Sequence, residues 1–320
     1  MRVLITGGGG FLGTKLAAAL AAKGEIQGRE ISHLTQADLA APEPVSAGFP
    51  TEGIALDISD RAAVDTAFLT PPDAIFHLAA VVSGQAEAEF EIGMRVNLMG
   101  TINVLEAARA AGNQPIVVFT SSVATYGGEV PEMIEDWTAL NPQTSYGAQK
   151  VMGEMLLTDM SRKGFVDGRG LRLPSVTVRP GKPNAAASSF MSSIFREPLQ
   201  GETANCPVAE DYPIWSSAPR TVVANMVHAA EVKAAAWGEN RCLAIPGLTA
   251  TVREMIEAMT AVAGAEPASR ITWNPDPAVQ AICSGWRAHL NPAKALQLGF
   301  AQDTSFEDNI RWFLEDDIRR

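Results

Sequence analysis

The chain has 320 residues, 47% of them hydrophobic and 19% charged, a balance that supports a sizeable packed core and excludes a disordered chain. Twenty-five basic residues against thirty-six acidic ones leave a net charge of −11, which argues against nucleic acid and anionic membrane as partners. Three scattered cysteines, Cys206, Cys242 and Cys283, form no CxxC pair, so neither a disulfide framework nor a metal site is expected.

MRVLITGGGG opens directly on a strand, so no signal peptide is expected, and the longest apolar runs are too short to span a bilayer. A cytoplasmic location follows as the expectation. Val3 to Thr6 reads as the first strand. Four glycines stop it, and FLGTKLAAALAAKG then carries helical spacing to Gly24. A weaker strand lies in EISHLTQAD. Ala74 to Ala80 (AIFHLAA) and Ile116 to Ser122 (IVVFTSS) read as buried strands. NLMGTINVLEAARAAG between them is an amphipathic helix with its stop at Gly112, and SYGAQKVMGEMLLTDMSRKG is a second long helix. Leu171 to Pro180 reads as a further strand. Strands alternating with helices predict an α/β fold, a Rossmann-type doubly wound parallel sheet. After Pro180 the alternation fails. Irregular pieces run to about Pro219, TVVANMVHAAEVKAAAWG is helical, and VREMIEAMTAVAG is another helix. The division predicted is 1–178 with 221–240 for the sheet domain, and 179–220 with 241–320 for a smaller C-terminal α/β substrate domain.

Gly7, Gly10 and Gly13 form GxxGxxG between the first strand and the first helix. That spacing gives a tight turn, lets backbone amides approach a pyrophosphate, and packs helix on strand. A nucleotide-triphosphatase loop requires lysine directly after the last glycine; Thr14 is there instead, and Lys15 comes one place late. Asp38 follows the second strand, 25 residues after Gly13. An acid at that place accepts from both ribose hydroxyls and repels a 2′-phosphate. No arginine follows it until Arg61, so NAD is expected over NADP. Asp57, with Ile58 beside it, is placed to meet the adenine.

Tyr146 and Lys150 in SYGAQK share one helix face by their i, i+4 spacing. A neighbouring ammonium favours phenolate, so Lys150 is expected to lower the Tyr146 pKa and make it a general base. Ser122 ends the preceding strand and is placed to hold a substrate oxygen.

TGGGGFLG, DIS, HLAA, VNLMGT, TSSVATYG and YGAQK, in that order, resemble the extended short-chain dehydrogenase/reductases, the group of nucleotide-sugar epimerases and dehydratases. The resemblance covers about residues 1–180 closely and the remainder loosely. It implies that Gly7, Gly10, Phe11, Leu12 and Gly13 hold the pyrophosphate of NAD, and that Asp38 holds the adenosine ribose. It further implies that Asp57 and Ile58 meet the adenine, that Ala79 and Ala80 line the cofactor, and that Asn97 supports the active-site end of its helix. Ser122, Tyr146 and Lys150 are catalytic by the same resemblance, with Tyr146 and Lys150 also touching the cofactor. It implies a homodimer as well, through helices near 95–111 and 145–163, whose apolar residues include Met152, Met155, Leu156 and Met160.

Two segments depart from the sugar-nucleotide enzymes. LRLPSVTVRPGKPNAAASSF lacks the asparagine and tyrosine expected after that strand, and WSSAPRTVVANMVHAAE has Pro219 and Arg220 where acids are expected. Both are similar to the branch of the family that oxidises a four-carbon sugar acid at C2, which makes a small sugar acid the expected substrate. A nucleotide-sugar epimerase or dehydratase is the alternative, and a non-catalytic NAD sensor is disfavoured because both Tyr146 and Lys150 are present. A sugar acid needs a cation for its carboxylate, with Arg179, Lys182 and Arg220 as candidates, and hydroxyl partners, with Ser83, Asn184, Ser188 and Ser189. Lys182 reads better as a solvated loop charge. Arg220 is open between an anion and an internal ion pair.

Overall fold

Val3, Leu4 and Ile5 bury their side chains in strand β1 (Arg2–Thr6), an interior strand of a seven-stranded sheet. The computed structural model describes residues 1–182, 187–283 and 285–318. Helix α1 (Phe11–Lys23) ends on Gly24, which is left-handed at φ 75° and donates its amide to Leu20 O. Strand β2 (His33–Asp38) and strand β3 (Thr51–Ala55) follow. Helix α2 (Arg61–Ala67) is capped by Asp60, whose carboxylate accepts from the amides of Ala62 and Ala63. Strand β4 (Ala74–His77) and helix α3 (Ser83–Ala88) lead to a π-helical stretch, Met94–Gly100. That stretch runs into helix α4 (Thr101–Ala111), which stops at Gly112. Strand β5 (Ile116–Ser122), helix α5 (Ser145–Arg162) and strand β6 (Asp167–Leu173) complete the alternation.

The remaining elements used below are strand β7 (Ser175–Val176), helix α6 (Phe190–Leu199), strand β8 (Pro213–Ser217) and helix α7 (Pro219–Glu231). Strand β9 (Cys242–Ala244), strand β10 (Leu248–Thr251), helix α8 (Val252–Ala263) and helix α9 (Phe306–Phe313) follow.

The large sheet has the order β9–β6–β5–β4–β1–β2–β3. Strands β1, β2, β3, β4 and β5 pair in parallel, with Val3 opposite Leu34 on one side and Ala74 on the other. The chain runs outward from β1 to β2 and β3, then returns to β4 on the other side of β1. This reversal is the switch point at which the doubly wound fold opens a crevice at the strand carboxyl ends.

The described residues divide into two compact units. The first holds Met1–Thr125, Thr144–Arg172 and Val223–Leu243. Its core joins Leu4 and Ile75 of the sheet to Val104, Leu105 and Leu157 of the helices. The second unit holds Tyr126–Gln143, Leu173–Val222 and Ala244–Arg320. It contains a three-stranded sheet, β7–β8–β10, in which β8 runs parallel to β7 and antiparallel to β10. Ile194 and Phe195 of α6, Met255 and Met259 of α8 and Ile310 of α9 form its core.

The first turns of the helix expected from Asn97 are π-helical. Asn97 lies in that stretch, its carbonyl accepts from Thr101 Oγ1 at 2.6 Å, and its side chain is committed to a loop. Residues 180–219, expected to be irregular, contain helix α6 and strand β8. Tyr126–Gln143 belongs to the second unit, a return that local pattern does not signal. On α5, Met160 is buried in the first unit's core and Leu156 packs against it, so of the four apolar residues picked out there only Met152 and Met155 are exposed. All three cysteines are buried and free. Burial pushes each thiol above its ordinary range, Cys283 to about 11.

Candidate active site

Gly7 turns the chain at φ +74°, and a Cβ there would lie 2.7 Å from Ala79 N. A Cβ on Gly13 would collide with Gly7 O, so only glycine lets α1 sit this close to the end of β1. Gly10 donates its amide to Gly7 O at 3.1 Å and serves as the N-cap of α1, with no side chain bonded to the helix's first amides. Phe11 and Leu12, both partly buried, supply the first two residues of that helix. A tight glycine cradle and an uncapped helix N-terminus fit a pyrophosphate, so these residues are suited to hold a dinucleotide.

Asp38, the last residue of β2, sits against the cradle: its Oδ2 accepts from Gly9 N at 3.0 Å and its Oδ1 from Leu39 N at 2.8 Å. Asp57 is exposed, and its Oδ1 accepts from Ser59 N and Ser59 Oγ at 2.8 and 2.7 Å. Ile58 is buried at Gly100, and its carbonyl accepts from Asn103 Nδ2 at 2.9 Å. Ala79 and Ala80 follow β4, with Ala79 beside Gly7. Asn97 is buried. It accepts from Val81 N at 2.8 Å, and its Nδ2 donates to Val81 O at 3.2 Å and to Gln149 Oε1 at 2.8 Å. It thereby ties the loop after β4 to α5. Gln149 was not picked out from the sequence; only its position next to Lys150 pointed to it. Ser83 is the partly buried first residue of α3.

Thr144 starts α5 by accepting from Gly147 N at 3.1 Å, which puts Tyr146 and Lys150 in its first two turns. Lys150 is buried and donates to Thr120 O at 2.8 Å, anchoring α5 to β5 two residues before Ser122. Its ammonium lies 5.6 Å from the centre of the Tyr146 ring and 4.9 Å from that of Phe119. Ser122 is partly buried, and its Oγ accepts from Ala124 N at 3.1 Å. Burial pushes the Tyr146 phenol up to about 12 and the Lys150 ammonium down to about 8. The expected lowering of Tyr146 by Lys150 is therefore not realised in this arrangement, because desolvation penalises both charged forms.

Beneath the site, Thr101 donates to Asn97 O and so accepts from His77 Nε2 at 3.0 Å, while His77 Nδ1 accepts from Thr6 Oγ1 at 2.6 Å. Burial, then the Lys150 charge, lowers His77 to about 3, so it stays neutral and acts as a brace.

In the second unit, Arg179 is partly buried. Its amide donates to Ser192 Oγ at 3.1 Å, its carbonyl accepts from Arg196 Nη1 at 3.0 Å, and its Nη2 reaches Ser188 O at 3.4 Å. Burial, then the like charge of Arg196, lowers its pKa. No carboxylate pairs with it among the described residues. Arg220 is committed instead. Its Nε and Nη2 donate to Asp316 at 2.8 and 2.6 Å, its Nη2 also donates to Glu315 at 2.9 Å, and the guanidinium lies 5.5 Å from the Trp312 ring centre. The internal ion pair is the role this geometry gives it. Lys182 is exposed, and Asn184 lies outside the described residues.

The profile of the NAD dependent epimerase/dehydratase family matches residues 3–232. A D-erythronate dehydrogenase of Cupriavidus necator is 51% identical over 99% of this chain and 98% of its own length. A D-erythronate dehydrogenase of Haemophilus influenzae is 41% identical over 99% of this chain and all of its own. A solved structure described as the nucleoside-diphosphate-sugar epimerase from Agrobacterium tumefaciens superposes with a TM-score of 0.95 at 42% identity, covering 99% of this chain and 94% of that one. With a family match spanning most of the sheet domain and relatives aligned almost end to end, the chain belongs to the NAD dependent epimerase/dehydratase family.

Proposed function

We propose that the protein oxidises D-erythronate at C2, with NAD as the hydride acceptor. The observation that carries this reading is the buried Lys150 ammonium, bonded to Thr120 O and one helical turn from Tyr146, beside the strand end that bears Ser122. Tyr146 takes the proton of the C2 hydroxyl while Ser122 holds that oxygen. When bound, NAD would supply the acceptor for the hydride that leaves C2 and the positive charge of its nicotinamide ring. The Lys150 ammonium is the cation beside Tyr146 when the proton moves, and because burial holds the phenol near 12, oxidation quickens as pH rises above neutral. Asp38, at the glycine cradle, selects a ribose with both hydroxyls free over one carrying a 2′-phosphate. Arg179, partly buried and without a carboxylate partner among the described residues, holds the substrate carboxylate; Ser83 and Ser188 are the hydroxyl partners. Orientation of C2 depends on fixing that anion.

The likeness to the Agrobacterium tumefaciens structure supports a second reading, nucleotide-sugar epimerisation. The missing asparagine and tyrosine after β6 speak against it. The deciding experiment incubates the protein with NAD and D-erythronate, and separately with UDP-galactose, while following reduced nicotinamide and sugar epimers. NADH formed from erythronate alone supports the first reading. Epimerised UDP-galactose with no oxidation of erythronate removes it.

The second unit is the one assigned to substrate selection, and a homodimer is proposed through Met99, Met152 and Met155, which are exposed on the Met94–Gly100 stretch and α5. A monomer mass by light scattering at micromolar concentration would overturn the dimer. Three buried, unbridged thiols support a reducing cytoplasm. No helix among the described residues is long and apolar enough to cross a membrane.

A further inference from the structure

Tyr146, Lys150 and Glu154 recur at four-residue spacing, so α5 carries a third ionisable group on its catalytic stripe. Glu154 is completely buried. Its Oε1 accepts from Ser121 Oγ at 2.5 Å and from Arg172 Nε at 3.0 Å, and its Oε2 accepts from Arg172 Nη2 at 2.6 Å. Arg172 comes from β6 and is itself buried. A buried carboxylate is tolerated only when paired and hydrogen-bonded in this way. The Arg172 fork supplies that pairing. The additional bond goes to Ser121, which stands between Thr120, whose carbonyl receives Lys150, and Ser122.

Two cross-links therefore join successive turns of α5 to successive residues of β5. We propose that Glu154 is a positioning residue for the reaction: it fixes α5 to the end of β5 through Ser121 and places a carboxylate one helical turn from the Lys150 ammonium. This rests on the Tyr146–Lys150 reading above.

The groups facing Lys150 are Tyr146 and Glu154 on its own helix and His77 on β4, with Arg172 on β6 behind Glu154. His77 is neutral above about pH 3. Tyr146 is neutral until strongly alkaline pH. Glu154 is the group that opposes the effect of burial on Lys150.

The test is the pH dependence of erythronate oxidation in the full-length protein with NAD. In the wild type the rate rises with pH and breaks near pH 8, where Lys150 gives up its charge. In Glu154→Gln that break moves down by about one pH unit, the scale of losing an opposite charge nearby. Glu154→Asp retains the charge and returns the break to its wild-type position. Ser121→Ala leaves the break in place and lowers turnover by about two- to tenfold, the scale of one hydrogen bond. A folded, NAD-binding Glu154→Gln with an unmoved break overturns the proposal. If Glu154→Gln does not fold, Ser121→Ala decides, and wild-type turnover in it overturns the positioning role. Lys150→Met separates the two readings: wild-type turnover there removes the Tyr146–Lys150 mechanism itself, whereas lost turnover with an unmoved Glu154→Gln break removes only the role of Glu154.

Discussion

The region around Lys150 and the region around Arg179 are balanced in opposite ways. In the first unit, positive Lys150, negative Glu154 and positive Arg172 alternate in the interior, with the Thr120 carbonyl bonded to Lys150 and the Ser121 hydroxyl to Glu154. In the second unit, Arg179 and Arg196 are two like charges, and among the described residues only Arg196 of the two has a carboxylate partner, Glu197 at 2.6 Å. A network of buried, mutually bonded charges holds groups in place, which is what proton transfer requires. A surplus cation with part of its surface accessible gains most from an external anion, which is what recognition requires. The difference is consistent with the proposal that chemistry belongs to one region and substrate choice to the other.

The sharpest way to break this division is Tyr146→Phe. It removes the proton acceptor and keeps the ring, so turnover should fall by about two to four orders of magnitude while NAD binding survives. Turnover close to wild type would take chemistry away from the first region. Next in size is Arg179→Gln. Losing a charge-assisted bond worth roughly 1.5–3 kcal/mol should lower kcat/KM for D-erythronate by about ten- to a hundredfold and leave NAD affinity unchanged. Erythritol, which has no carboxylate, should be a poor substrate that loses little further activity; if both substrates fall together, the arginine is a structural member of its region. Asp38→Ala tests the cofactor side and should raise KM for NAD by about tenfold, with a smaller change for NADP. Equal efficiency with both cofactors in the wild type would remove Asp38 as the selector. The smallest effect belongs to Arg220→Ala. An exposed ion pair contributes about 0–1 kcal/mol, so kcat/KM should stay within about fivefold of wild type. A larger loss confined to erythronate would return Arg220 to substrate recognition.

Local pattern carried much of the first unit. The strand, glycine turn and helix at residues 2–23, the placement of Asp38 beside the turn, and the shared face of Tyr146 and Lys150 all depend on neighbours within a few residues or on one repeated unit. Strand β3 was not legible, because it lies at the sheet edge, is only partly buried and shows no clean alternation. The π-helical stretch was missed because it is stabilised by bonds from Asn97 to residues 16 and 52 positions away. Arg220 could not be decided, since its carboxylates lie 95 and 96 positions along the chain. The raised pKa of Tyr146 escaped as well: spacing gives the direction of a neighbouring charge, whereas burial is a property of the assembled core.

The three cysteines have a practical consequence. Each is buried with its thiol held in the unreactive protonated form, so an alkylating reagent reaches it only when the surrounding structure opens. Cys242 belongs to the first unit, and Cys206 and Cys283 to the second. Timed labelling in mild denaturant, read peptide by peptide, turns these side chains into built-in clocks that record which unit opens first and whether NAD slows one clock or all three.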